Sequence, residues 1–353
     1  MKFSKFLVVS LTTILFGASC VGGGSQPAAP PTGGMWFSPN QGSSWQHIAV
    51  TVNSTTIGTN NEANVVTATF DPNDSSAIYV GTREFGMYYS YDNGRSWQQP
   101  KEITTGSVNS ITIHPKDKCT IVAAVGVRLY KSEDCNRSYQ VMSFIPLLES
   151  GENIKFVSYD WFNPAIMYAA ASRGRVFKSF DGGNSWAVTY SFDSGIMAFQ
   201  IDPKDSRVLF VGTEETGLWK SVDGASHFGS LKDITQSLDG SRNIRKIAAD
   251  TRLDGHYVVA TTAGLIETFD KGGTWKAIVL LTPPHAVQIT AVALDPSDPQ
   301  GKRIYYGTDK IFYRTGNGGV NWESVQLPTK RAAGVILVHP ADPNAIYLGA
   351  KNL

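Results

Sequence analysis

Acidic side chains set beside hydroxyls and glycines recur along this chain, and that grouping has two chemical readings. In residues 90–97 (SYDNGRSW), 179–186 (SFDGGNSW) and 268–275 (TFDKGGTW) an Asp follows a Ser or Thr by two positions, Gly comes next or nearly so, and Trp closes the segment. Such an Asp is a candidate general acid or base. The same short side chain also accepts hydrogen bonds from the backbone of its own turn, and Gly permits the positive φ that a tight turn needs. Four weaker copies favour the second reading: residues 38–45 (SPNQGSSW), 132–139 (SEDCNRSY), 221–228 (SVDGASHF) and 315–322 (TGNGGVNW). Asn40 and Asn317 replace the Asp and keep an acceptor, while Tyr139 and Phe228 replace the Trp and keep a ring to bury. Asp92, Asp181, Asp223, Asp270 and Asn317, with Trp97, Trp186, Trp275 and Trp322, are therefore read as fold-holding residues.

Other chemistry finds little support. The six histidines are scattered, and His114 and His339 occupy turn positions before Pro115 and Pro340. No Cys/His grouping has zinc spacing, no Gly-rich loop carries a phosphate-binding lysine, and no local motif suggests a Ser/His/Asp trio. Neither a metal nor a cofactor is expected. The 31 basic and 30 acidic side chains leave a net charge of +1, so no general field attracts nucleic acid.

The terminal aromatics of the boxes fall 42 to 52 residues apart, the length of a four-stranded propeller blade. Between boxes lie pairs of apolar strands joined by acidic or Pro-containing turns and often closing in Gly-Thr, as in residues 66–82 (VTATFDPNDSSAIYVGT) and 197–213 (MAFQIDPKDSRVLFVGT). Each unit reads as strand a, turn, strand b, turn, strand c, box, strand d. The last unit stops after strand b at Leu353 and the first begins with strand c at Met35, so the two ends complete one blade and leave no open edge. The expectation is an all-β fold: a single seven-bladed propeller over residues 35–353, with four-stranded blades, one closed by N- and C-terminal strands.

Residues 1–19 read as a signal peptide, with Lys2 and Lys5 ahead of an apolar stretch too short to span a bilayer comfortably. Gly17-Ala18-Ser19-Cys20 resembles a bacterial lipobox with Gly where Leu is usual. Cys20 is thus a lipid acceptor, with simple cleavage and secretion as the alternative, and residues up to 34 form a Gly- and Pro-rich tether. Cys119 and Cys135 fall in two turns on one face of one blade, which permits a disulfide in an extracytoplasmic setting; two free thiols are the alternative.

The boxes and the DP…IYVGT strand pairs, over nearly the whole chain from Met35 to Leu353, resemble the Asp-box, or bacterial neuraminidase repeat, propellers. Within that group the chain is most similar to the photosystem II assembly factor type and the sortilin N-terminal type, then to xyloglucan-active glycoside hydrolases. The resemblance implies the fold and leaves function open among scaffold, receptor and enzyme. A sialidase would require an Arg-Ile-Pro type motif, and no Arg-x-Pro occurs. Xyloglucan-active enzymes resemble two propellers about a cleft, whereas this chain has residues for one.

Strand parity puts the a–b turns and boxes on one face and the b–c turns and d–a connections on the other. The second face carries the variable loops and is the candidate binding face: Arg83, Glu84, Arg128, Arg173, Arg175, Glu214, Glu215, Lys310 and, further on, Asp309 and Lys351. Arginines on blades two to four form either a patch for a carboxylate-bearing partner or ordinary solvated charges. Glu149, Glu152, Glu214 and Glu215 are the acids a glycosidase would draw on. Leu147 and Leu148 offer an apolar lip, while Trp161 and Phe162 sit at an a–b turn where packing explains them. A monomeric, non-catalytic envelope scaffold for a protein or glycan is expected, with a glycoside hydrolase or carbohydrate-binding protein as the alternative.

Overall fold

A computed structural model describes residues 32–52, 57–142, 148–231 and 240–353. The expected signal segment, Cys20, nearly all of the expected tether, part of the 53–64 connection and Leu147 lie outside them. Among the described residues the regular elements are all strands, and none is a helix. They form seven antiparallel blades. In the second, strands a, b and c are Val65–Asp71, Asp74–Thr82 and Met87–Ser90. Strand a of each blade touches strand a of both neighbours, all the way around, which closes the ring about a central channel.

The first blade joins the two ends of the propeller. Its a and b strands are Ala332–Val338 and Ile346–Lys351, its c and d strands Met35–Ser38 and Gln46–His47. Met35 pairs antiparallel with Gly349 and Ser38 with Ile346. Blade 2 departs from the expected four strands. Its outer strand is reduced to the Tyr89–Gln98 bridge, because Trp97 exchanges backbone hydrogen bonds with Val50 and Val52 of an added hairpin, Val50–Val52 with Ile57–Thr59. Part of the polar 53–64 connection is therefore ordered as a strand.

Seven apolar clusters fill the seven contacts between blades among the described residues. Each box aromatic enters the cluster shared with the preceding blade. Trp97 is fully buried and donates from Nε1 to the Ile48 carbonyl (2.7 Å), Trp45 meets Phe312 edge-on at 5.3 Å, and Phe228 packs on Tyr190 and Phe192. The motif thus acts twice, shaping a turn and stapling two sheets.

Box geometry is uniform. Asp92 Oδ1 accepts from the Ser96 N–H (2.9 Å) and the Ser90 hydroxyl (2.7 Å), and Oδ2 accepts from the Ser96 hydroxyl (2.6 Å). Asp181 and Asp270 repeat this set, Asp223 accepts from the His227 N–H and ring, and Asn317 and Asn40 make the amide version. In all seven blades a box N–H then donates to the carbonyl of its own a–b turn, as Asn93 does to Ser76 and Gly318 to Lys302. In blade 3 this bond runs from Cys135 to Cys119, and the two cysteines are joined as a disulfide. Cys135 and Asn136 there adopt φ of 60° and 67°, a region disfavoured without glycine, so the covalent link ties down the box with the least permissive residues.

Candidate functional site

Three b–c turns begin at a Gly-Thr pair, at 81–82, 212–213 and 307–308, and Gly349 stands in the same place before Ala350. A Cβ on Gly81, Gly212, Gly307 or Gly349 would come within 2.3–2.5 Å of the next blade's strand a, so these glycines let adjacent sheets close up beside the channel. The following Thr shapes the turn: Thr82 Oγ1 donates to the Gly86 carbonyl (2.8 Å) and accepts from the Phe85 N–H (2.9 Å), and Thr213 does likewise with Gly217 and Thr216.

Strand a supplies the second feature of this face. In six blades the a–b pairing skips one residue near the start of strand a, a β-bulge that leaves Val66, Asn109, Lys155, Met197, Arg245 and Gly334 without a partner opposite. A bulge turns the extra side chain out of the regular alternation. Five of these six residues line one cavity of about 540 Å³ at the channel mouth.

That mouth is cationic. Lys155 and Arg245 come from bulges, Lys246 follows the second of them, Arg83 comes from a b–c turn and Lys351 from the end of the last strand. Among the described residues no carboxylate lines the cavity and none of the five makes an ion pair. Burial, then the neighbouring Lys246, Arg83 and Arg245, push the Lys351 ammonium down to about 8. Burial and Lys155 lower Lys246. Arg245 Nε is shut off from solvent with no hydrogen-bond acceptor. Phe156 forms part of the wall and also borders a second, lower cavity of about 210 Å³ with Phe70, Trp161 and Phe199.

The remaining expected site residues separate into two groups. Arg173, Glu214, Glu215 and Lys310 are exposed on b–c turns, as is Glu84, which accepts from Asn64 Nδ2 at 3.1 Å, while Arg128 is exposed at the first residue of strand c in blade 3; Lys310 has Asp309 beside it at 3.9 Å. Arg175 belongs elsewhere. Its guanidinium bonds the buried Glu152 carboxylate and lies 3.5 Å from Glu149, so these three groups neutralise one another. Leu148 packs against the cluster between blades 3 and 4 instead of forming a free lip. Trp161 is partly buried in the next cluster, and Phe162 is exposed on the box face.

Sequence reasoning reached Arg83 and Lys351 and missed Lys155, Arg245 and Lys246. Their signal was available only by aligning repeats on the buried aliphatic that opens strand a, at Ile154 and Ile244: the next column is then the bulge. One other ionic cluster stands out. On the box face of blade 6, buried His256 lies 3.2 Å from Asp250 and 3.1 Å from Glu267, and Lys276 reaches Glu267 at 3.0 Å. Burial opposes protonation of the imidazole, but hydrogen bonds to both carboxylates outweigh it and raise His256 above its ordinary value.

No protein-family model matches the chain, and no curated protein is similar to it in sequence. Solved structures share the fold. A GH74 xyloglucanase from Xanthomonas campestris superposes with a TM-score of 0.66 at 17% identity, over 82% of this chain and 51% of the enzyme. This chain therefore spans about half of that protein. YCF48 bound to a D1 peptide gives 0.63 at 12% identity over 82% of this chain and 93% of YCF48. YCF48 from Cyanidioschyzon merolae gives 0.62 at 12%, over 82% and 96%. At these identities the likeness is one of fold.

Proposed function

We propose that this chain is a non-catalytic binding or assembly scaffold of the cell envelope, which offers the face opposite its boxes to a protein partner. The observation that carries the reading is an arc of rim on blades 2 to 4. Phe85 and Val127, 42% and 39% exposed, stand on successive b–c turns, flanked by Arg83, Arg128 and Arg173 without ion-pair partners among the described residues. Exposed apolar side chains ringed by arginine are what protein interfaces favour, and the charge selects a carboxylate-bearing partner. YCF48, a propeller of similar extent, was solved with a D1 peptide, which supports a protein ligand over a glycan. Hydrolysis is the weaker reading, because Glu149 and Glu152 are committed to Arg175 and are poor candidates for an acid and base pair.

In the same proposal the repeats belong to the Asp-box class, near the photosystem II assembly factor and sortilin types, and Cys20 bears the lipid that holds the protein at a bacterial membrane. Crosslinking in native membranes followed by mass spectrometry should recover one dominant protein partner, lost on joint Arg128→Glu and Arg173→Glu substitution. Sugar release from a polysaccharide panel by the purified protein would overturn the scaffold reading. Cys20→Ser should abolish incorporation of labelled palmitate; unchanged labelling removes the anchor from the proposal.

A further inference from the structure

We propose that the mouth of the central channel is a built site for a compact, multiply charged oxyanion of the phosphate and polyphosphate class. The inference goes beyond protein docking on the rim and does not depend on it. Arg83, Lys155, Arg245, Lys246 and Lys351 come from four different blades and border one cavity of about 540 Å³ that no carboxylate lines among the described residues. Two of them stand on β-bulges, the local distortion that takes a side chain out of the sheet's alternation. A volume of this size suits a small molecule.

Charge and geometry select its chemistry. Five cations around one void call for several negative charges, where a single carboxylate supplies one. They approach from several sides of the ring, which suits a tetrahedral group with oxygens in all directions better than the planar pair of a carboxylate. Arg245 Nε is buried and has no acceptor among the described residues, so it is a donor available to a ligand. Burial first, and then repulsion from Lys246, Arg83 and Arg245, hold the Lys351 ammonium down to about 8, and an anion beside it would favour its charged form.

Calorimetric titration of the mature protein at low salt tests this with inorganic phosphate, pyrophosphate and tripolyphosphate, beside a triglutamate peptide. Tripolyphosphate should bind one to one, at least tenfold more tightly than triglutamate, and weaken as pH rises from 7 to 9. Lys351→Met and Lys155→Gln, on different blades and each checked by circular dichroism, should each weaken it about tenfold. Arg128→Ser, on the rim, should leave it unchanged. Three results would overturn the site: no binding by the wild-type protein, triglutamate binding as tightly as tripolyphosphate, or an Arg128→Ser loss equal to that of the folded mouth variants. Recovery of the protein partner is scored separately, so either proposal can fail without the other.

Discussion

The two faces of the ring are made from the same strands, yet their polar side chains answer to different things. On the box face Asp92, Asp181, Asp223 and Asp270 are bound to N–H and O–H groups of their own turns, and His256 is bracketed by two carboxylates. On the other face five cations surround a void without a counter-charge among the described residues. The first face therefore contributes to holding the fold, and the second retains interaction capacity at some expense of stability. Polar groups that satisfy the backbone repeat from blade to blade; those that face a void differ in each.

This contrast can be broken most forcefully at the staples. Trp97→Ala removes a fully buried ring and its bond to Ile48, and should cost about 4 kcal/mol in urea unfolding. A loss below about 1 kcal/mol would mean that the box aromatics do not hold the blades together. His256→Phe leaves Asp250 and Glu267 buried without their bridge and should cost about 3 kcal/mol at pH 6. Because the folded-state pKa of His256 lies above its unfolded value, its contribution is complete below about pH 6.5 and fades as pH rises through the folded value. The gap between wild type and variant should narrow by pH 9.

Smaller effects sharpen the comparison. Asp270→Ala should cost about 1 kcal/mol and Asp270→Asn much less, since Asn40 and Asn317 serve naturally in the same place. Hydrogen bonds, foremost from the Thr274 N–H, hold Asp270 at about 2, so its advantage is present above pH 4 and lost as pH falls towards 2. Lys351→Met should have the opposite sign and raise the stability of the unliganded protein by about 1 kcal/mol, a figure discounted for solvent access. Its folded pKa lies below the ordinary lysine value, so wild-type stability should rise from pH 8 to 10 and the variant's should not. Thermal melts across that range separate the two behaviours.

The blades were legible because the box carries its own mechanism: an acceptor, a glycine and a ring at fixed spacing. Strand parity then fixes the face on which each turn lies. The cationic mouth was largely hidden, since a β-bulge has no residue signature of its own and Lys155 reads as one more exposed position in an alternating strand. The Arg175–Glu152 pair was hidden for a related reason. Its members lie 23 residues apart, on a connection and on a strand, and appear in sequence as separate solvated charges.

Strand c of the first blade starts at Met35 and strand b ends at Lys351, both beside the b–c turns. The polypeptide thus enters and leaves the ring on the face that carries the cationic mouth. A bulky group joined directly at Gly34 or Leu353 will crowd that opening. Circular permutants that join residues 34 and 353 and open a box turn instead would invert this orientation, making the direction in which the propeller is displayed an experimental variable.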